Sequence, residues 1–364
     1  MIQPVKLSRD DPTHMQSLRV MLEQMTREGE LYDVSPDGRL LCYACGHECK
    51  IAEGRSGVCR VRFNAGGKLR VPSGYVGALA CDPIEKKPFY HAFPGRDAMS
   101  FGMLGCDLHC GYCQNWVTSQ ALRDANAVAP AQRVTPEQLV DLAIQHNAPV
   151  VASTYNEPLI TSEWAVEIFK LARRKGLTCA YISNGNATRR VLEYLRPWVT
   201  LYKVDLKSFR DKPYRELGGR LANVLRTIGQ LKEMGFWLEI VTLIVPGFND
   251  DEGELREMAG FIAEVSPDVP WHVTAFHSDY KMNDTPGTTT RQLLRACEIG
   301  TEAGLRYVYA GNLPGKVGPW ENTRCPSCGV TVIERYGFVV KENRLKRGCC
   351  GNCGERIPGV WGKV

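Results

Sequence analysis

The sequence predicts an α/β fold: a partial (β/α) barrel of about six strands with small N-terminal and C-terminal cysteine-rich appendages. Three observations predict it. From about Ala98, short apolar runs alternate with amphipathic stretches six or more times in succession, the pattern of a parallel sheet covered by helices. Polar motifs recur just after most of the apolar runs, which suits a barrel because barrel sites gather at the C-terminal ends of strands. Eleven of the fifteen cysteines fall into three spaced sets, one inside this region and one on either side of it.

The elements follow in order. Met15–Arg27 carries Leu18, Met21, Leu22 and Met25 at helical spacing and reads as an N-terminal helix. Leu41–Gly77 is glycine-rich and reads as short strands and turns. The expected barrel strands are Met99–Leu104, Val150–Thr154, Thr178–Ser183, Leu201–Leu206, Trp237–Ile244, Trp271–Phe276 and Arg306–Ala310. Helices are expected at Pro136–His146, Leu159–Lys175, Arg189–Leu195, Ala222–Met234, Glu252–Glu264 and Thr290–Ala303. Thr135-Pro136-Glu137-Gln138 is a helix start, with a capping hydroxyl, proline in the first turn and glutamine at the third position. Gly176 ends the next helix. Gly311–Gly318 reads as a linker, so the expected divisions are 1–97, 98–312 and 313–364.

With 44% hydrophobic and 23% charged residues in 364, the composition is that of a globular chain rather than a disordered one. No run of about 18 apolar residues occurs, which argues against a spanning helix. Met1–Asp10 is polar and shows no apolar signal core, so a cytoplasmic location is expected. The net charge of +5 is mild. From Glu321 to Val364 there are eight basic and four acidic residues, a basic surface or a docking site for an acidic partner. Fifteen cysteines without a secretory signal point to metal sites rather than disulfides. Cys179 and Cys297 lie in apolar segments and read as buried small hydrophobes.

The central set is Cys106-Asp107-Leu108-His109-Cys110-Gly111-Tyr112-Cys113, directly after a strand and Gly105. Three thiolates on one tight loop can hold three irons of a 4Fe–4S cubane and leave the fourth iron open. A zinc site completed by His109 is the alternative, since structural zinc wants four protein ligands.

The C-x3-C-x2-C spacing, with an aromatic residue before the last cysteine, resembles the signature of the radical S-adenosylmethionine (SAM) superfamily. That resemblance implies that SAM binds the open iron and is cleaved reductively to a 5′-deoxyadenosyl radical, which takes hydrogen from a substrate. It also implies a barrel of the radical SAM type and a reductant such as flavodoxin or ferredoxin. Later motifs resemble those of pyruvate formate-lyase activating enzymes. Thr154-Tyr155-Asn156-Glu157-Pro158 stands where that family has glycine-glycine-glutamate, so Glu157, helped by Asn156, is expected to hold the methionine ammonium. A helix N-terminal acid is the other reading of Glu157. Ser183-Asn184-Gly185 matches the family's Thr-Asn-Gly, and Val204-Asp205-Leu206-Lys207 its Asp-Leu-Lys. Asp205 and Lys207 are then SAM contacts, Lys207 as the carboxylate partner; without the cysteines, Lys203, Asp205 and Lys207 read as a solvated face. Val245–Asp251 reads as a turn and helix cap, and Val241 replaces an arginine common in the activases. His277, in Ala275-Phe276-His277, is expected beside the ribose or adenine, or as a core histidine. Tyr112 is expected beside adenine.

Cys42-Tyr-Ala-Cys45-Gly-His-Glu-Cys49, Gly57-Val-Cys59-Arg60, Asp82–Pro88 and Cys113-Gln114-Asn115-Trp116 resemble the radical SAM member of the AmmeMemoRadiSam system. That implies a Memo-like protein and its small companion as partners. Glu85, Lys86 and Lys87 are expected at the barrel mouth. Cys325-x2-Cys328 and Cys350-x2-Cys353, each followed by glycine, form a zinc-ribbon pattern, with Thr331–Tyr336 and Gly337–Val340 as its hairpin. Rubredoxin-like iron suits the same ligands, and Cys349 competes with Cys350. Cys42, Cys45, Cys49 and Cys59 suit structural zinc, with an auxiliary iron–sulfur cluster as the alternative.

The expected function is therefore a radical SAM enzyme of unknown substrate. A glycyl-radical activase is a narrower version. A reading of another class, a zinc-ribbon nucleic-acid or protein binding module on a non-catalytic barrel, rests on the basic tail. No membrane partner is expected, and nucleic acid is disfavoured by the strand-end motifs.

Overall fold

The structure is a computed structural model that describes residues 14–362, with side chains from Leu18 onward. The Met1–Asp10 segment lies outside the described residues.

An eight-stranded sheet organises the chain. Its strands are β1 (Ala78–Pro83), β2 (Asp97–Gly102), β3 (Val150–Ser153), β4 (Thr178–Ser183), β5 (Leu201–Asp205), β6 (Trp237–Ile244), β7 (Trp271–Ala275) and β8 (Val308–Gly311). They pair in sequence order. β2 to β8 are parallel, and β1 is an antiparallel edge on β2. β1 and β8 do not pair, so the barrel is partial. The sheet thus reaches back into the segment that the sequence assigns to the N-terminal appendage. The antiparallel β1 has no crossover helix to announce it, and Ile84–Arg96 simply returns the chain to β2.

Helices α1 (Pro136–Gln145), α2 (Ser162–Arg174), α3 (Arg189–Leu195), α4 (Leu221–Glu233), α5 (Glu252–Val265) and α6 (Thr290–Glu302) connect successive strands from β2 onward. Their apolar sides bury Leu139, Val166, Leu192, Ile228, Ile262 and Leu293 against the sheet. The Thr135 capping box is present, with reciprocal bonds to Gln138. Gly176 takes φ of 79° after α2, a conformation that costs glycine little.

The barrel interior is filled rather than hollow. Ile84, Phe89 and Ala92 pack on the inward residues Ala98, Val150, Ala152, Ala180 and Leu201. This segment hangs from one carboxylate. Glu239 on β6, fully buried, accepts from the Tyr90 and His91 amides at 3.0 Å each and from His272 Nε2 at 2.7 Å.

The C-terminal module closes the open side. Its sheet comprises Thr323–Arg324, Thr331–Tyr336 and Val339–Asn343. Val332, Ile333 and Ile357 pack on Tyr90, Tyr307 and Tyr309. Arg335 donates to the Tyr90 carbonyl at 2.8 Å and lies 3.5 Å from Glu85, both side chains being buried. The second hairpin strand begins two residues later than the sequence suggests, because Tyr336-Gly337-Phe338 makes the turn with Gly337 at φ of 58°.

The N-terminal helix is also shorter than its periodicity predicts, His14–Glu23. Thr26–Glu28 instead pairs with Lys68–Pro72. A β-branched residue at a sheet edge gains ladder bonds there that outweigh helical spacing. Arg62 and Glu163 tie this region to α2 through two bonds of 2.7 Å, both residues being buried.

His91 yields a pH prediction. Burial pulls its pKa down to about 4, and its ring nitrogens meet the Pro358 carbonyl and the Tyr309 hydroxyl at 2.6 Å. The ring is neutral in the fold, and the unfolded chain takes up the proton first. Its contribution is therefore complete above about pH 6.5 and declines toward about pH 4, by about 3 kcal/mol at most. Urea midpoints should fall over that window, and His91→Gln should lessen the slope; an unchanged slope would refute the assignment.

Candidate active site

The cysteine loop leaves β2 at Gly102, where a Cβ would run into the Thr154 carbonyl. Gly105 then takes φ of 93° and donates its amide to Thr118 O at 3.0 Å. These two glycines turn the chain over the strand ends. The loop is pinned from outside by His109 N to Leu217 O at 2.9 Å and by Lys281 N to Gly111 O at 2.9 Å.

Its central anchor is Asp107, fully buried beside Cys106. The carboxylate accepts from Asn184 Nδ2 at 2.7 Å and from Asn186 Nδ2 at 2.8 Å, both on the loop that follows β4. The sulfurs have donors as well: Leu108 N lies 3.4 Å from Cys106 Sγ, and the Ser119 hydroxyl 3.2 Å from Cys113 Sγ. Cys110 and Tyr112 pack with Leu108, Leu217, Val245 and Phe276, and the Tyr112 and Phe248 rings meet edge-on at 5.5 Å. The loop is thus held by groups other than its sulfurs, which leaves the sulfurs available to a cluster.

A cavity of about 380 Å³ opens under the loop, at the C-terminal ends of the strands. Cys110, Tyr112, Cys113, Asp205 and Lys207 line it. That volume lies within the range of small-molecule sites, about 300–1,000 Å³. Asp205 sits between Lys203 and Lys207, with Lys207 Nζ at 3.3 Å. Although burial opposes it, these two ammonium groups hold the Asp205 pKa down to about 2. Lys203 and Lys207 are largely buried, so this strand is not a solvated face.

Glu157, Asn156, Ser183 and Asn184 are buried and are not among the residues that line the cavity. Glu157 accepts from the Ser183 hydroxyl and the Asn184 amide at 2.7 Å each, and it caps Leu159 N at 3.1 Å. It thus caps a helical turn, as one of the two sequence readings expects, and braces the strand end facing the loop. Burial and the nearby Asp107 push its pKa up to about 8. Asn156 Oδ1 takes the Met103 amide at 3.0 Å. His277 is exposed, not a core histidine, and meets Gln114, the residue after Cys113, at 2.9 Å.

Tyr155, in the segment that the sequence compares with glycine-glycine-glutamate, has a glycine-like backbone, φ of 70°. Its carbonyl accepts from Thr118 Oγ1 at 3.0 Å. Its ring carries Lys87 Nζ 4.9 Å from the centroid, and Lys87 pairs with Asp82 at 3.0 Å. Glu85, Lys86 and Lys87 line the cavity, as the sequence suggests. Sequence reasoning missed Tyr155, His272 and Thr274 as lining residues. The available signal was a polar residue at alternate positions of an apolar strand, as in Trp-His-Val-Thr-Ala.

At the C-terminus, the ligand atoms of Cys325, Cys328, Cys350 and Cys353 all lie within 4.8 Å of one another. Cys350 rather than Cys349 joins this set. Cys349 instead bridges to Arg356.

A parallel partial barrel with a three-cysteine loop over its strand ends defines a class, and comparison with known proteins agrees with it. The Radical SAM superfamily matches residues 102–259. The uncharacterized protein MJ0808 of Methanocaldococcus jannaschii is 38% identical over 337 residues, covering 91% of this chain and 98% of that protein. The pyruvate formate-lyase-activating enzyme of Staphylococcus aureus (strain USA300) is 25% identical over 238 residues, 58% of this chain and 88% of that enzyme. The crystal structure of Streptococcus suis SuiB bound to precursor peptide SuiA aligns with a TM-score of 0.47 at 16% identity, over 63% of this chain and 51% of that one. The chain belongs to the radical SAM superfamily. Members of that superfamily are enzymes, and a 4Fe–4S cluster with SAM is general to them.

Two substitutions test the site's construction. Asp107→Ala leaves two buried amides without an acceptor and should cost about 3 kcal/mol, read by urea denaturation of the apoprotein. At Tyr155, Ile should be less stable than Asn by about 1–2 kcal/mol, because both lose the ring but only Asn tolerates a left-handed backbone.

Proposed function

We propose that this chain cleaves SAM reductively and that the resulting radical acts on a substrate brought to the mouth of the barrel. The observation that carries the reading is the placement of Cys106, Cys110 and Cys113 on a braced loop directly over a cavity lined by Asp205 and Lys207.

The residues present fit the group. Three thiols on one braced loop, two of them with their own hydrogen-bond partners, suit a cluster with one open iron. Bound there, the reduced cluster and SAM supply a 5′-deoxyadenosyl radical that abstracts hydrogen. The chain's own residues bind and orient. Lys207 presents a buried ammonium for a carboxylate, its charge kept by Asp205 despite burial. Glu157, braced by Ser183 and Asn184, holds the β4 end against the cysteine loop. Tyr112, packed on Phe248, offers a ring to the adenine. Asn156 fixes the turn before Glu157 through Met103. His277, through Gln114, guards the outer rim. The buried inner segment Ile84–Phe93 excludes water from below.

In this reading residues 98–312 form the catalytic unit, with 1–97 and 313–364 as attached modules. The Cys325, Cys328, Cys350 and Cys353 spacing supports structural zinc in the latter. Oxidoreductase-type chemistry, a flavodoxin or ferredoxin as electron donor, and a Memo-like partner with its small companion follow from the motifs. The thiolate sets favour the reducing cytoplasm; among the described residues no helix is long and apolar enough to cross a membrane. A glycyl-radical activase is a narrower version, supported by the similarity to an activating enzyme.

Anaerobic reconstitution with iron and sulfide, followed by dithionite and SAM, should yield 5′-deoxyadenosine. Cys113→Ala should yield none, and an equal yield from both would sink the reading. Lys207→Ala should weaken SAM binding by about 10- to 100-fold, a loss of about 1.5–3 kcal/mol, measured by equilibrium dialysis.

A further inference from the structure

The four N-terminal cysteines take no part in the cavity. Cys42 ends the strand Leu40–Cys42, and its amide bonds to the Cys49 carbonyl at 3.0 Å, closing a small hairpin that carries Cys45 at its turn. Cys59 comes from the next turn, closed by Arg60 N to Gly57 O at 3.0 Å. Cys42, Cys45 and Cys59 are buried and Cys49 is half-buried.

Two of these sulfurs accept a hydrogen bond. Arg62 Nε reaches Cys42 Sγ at 3.2 Å, and the Val58 amide reaches Cys49 Sγ at 3.4 Å. Arg62 cannot turn away, because Glu163 grips its other two nitrogens. N–H groups and a fixed guanidinium aimed at sulfur are the surroundings of metal-bound thiolates, whose negative charge they offset.

The spread of the sulfurs separates one ion from a cluster. Zinc–sulfur bonds of about 2.3 Å place four thiolates about 3.8 Å apart. The C-terminal set meets that spacing, with all four ligand atoms within 4.8 Å. Among the described residues no three of Cys42, Cys45, Cys49 and Cys59 gather so closely, and neither do Cys106, Cys110 and Cys113. The zinc expected from the N-terminal spacing is therefore not what this geometry favours. Both wider sets suit a cubane, whose thiolates sit on its outer corners.

The two wider sets are back to back. His47 Nε2 lies 3.1 Å from the Asp107 carbonyl, and Gly46 N bonds Asn186 O at 2.7 Å. A Cβ at Gly105 would stand 3.2 Å from the Cys59 carbonyl, so that glycine admits the close approach. One hydrogen bond thus joins His47, two residues after Cys45, to the residue after Cys106.

We propose that Cys42, Cys45, Cys49 and Cys59 hold a second 4Fe–4S cluster that relays one electron to the cluster on Cys106, Cys110 and Cys113. This rests on the reading of the latter set given under Proposed function. Four protein thiolates leave no open iron, so the second cluster does not bind SAM. A low-potential one-electron donor protein reduces it from the 2+ to the 1+ state. It returns to 2+ as the neighbouring cluster passes from 2+ to 1+, with no bond made or broken and no proton moved.

The test uses the full chain, reconstituted anaerobically. Wild type should carry about eight irons, and the Cys106→Ala/Cys110→Ala/Cys113→Ala variant about four, with an EPR signal on reduction that SAM does not alter. Cys42→Ala/Cys49→Ala should also carry about four, with a signal that SAM does alter. That pair should be reduced normally by dithionite but at least tenfold more slowly by reduced flavodoxin. Two signals in wild type, only one of them changed by SAM, would support the proposal even if a variant failed to fold. An iron-free triple variant with a second zinc, or a single wild-type signal changed by SAM, would overturn it. Iron in the triple variant but none in the Cys42/Cys49 pair would instead spare the second cluster and sink the catalytic one.

Discussion

Much of this protein depends on keeping one carboxylate dry. Asp107 is fully buried, and a buried carboxylate is tolerated only when its oxygens are satisfied. Asn184 and Asn186 satisfy it from the end of β4. The same residue's carbonyl meets His47 from the N-terminal segment. Three parts of the chain far apart in sequence therefore converge on a residue flanked by a candidate cluster ligand. Moving any one of them shifts the loop on which the sulfurs sit. Glu157 works in parallel by holding Ser183 and the Asn184 amide, so the β4 end has a carboxylate on each side of it.

A second carboxylate organises the opposite end. Glu239 suspends the Ile84–Phe93 segment inside the barrel, and Arg335 of the C-terminal module grips Tyr90 from below. A partial barrel has an unpaired edge and an open flank, both of which need cover. Here the flank is covered by the inner segment and the ribbon together, sharing an aromatic core of Tyr90, Tyr307 and Tyr309. The C-terminal module is thus a structural wall of the barrel. Its hairpin residue Phe338 reaches the cavity lining, so the wall also shapes the entrance.

The parallel strands were the most legible part of the sequence. β4 and β6 occupy the predicted residues, because a strand buried on both faces is a mainly apolar run with sharp ends, interrupted in β6 by Glu239 and Thr242. β1 was not legible: Ala78–Pro83 is only half-buried and antiparallel. The short helix Asp211–Glu216 was missed as well, its six residues including a proline. At the site, spacing alone exposed the cysteine sets, since ligand spacing is local. Long-range pairings such as Arg62 with Glu163 or Glu239 with His91 are set by tertiary packing and leave only a charged residue in an apolar stretch as their trace. The size of the N-terminal cage was hidden for the same reason. Four cysteines at given intervals do not state how far apart their sulfurs come to rest.

Tyr155 carries a consequence for how such sites are recognised. Its backbone holds the left-handed shape that glycine adopts freely, while its side chain adds a ring over Lys87 and a hydroxyl near Asp82. What the strand end needs at this position is a torsion angle, and the letter Tyr does not announce it. A search written in letters passes over the strand end, whereas a search written in dihedral angles finds it. The ring and the lysine lean on each other, so glycine at this position would relax the backbone yet strip the rim of its aromatic face.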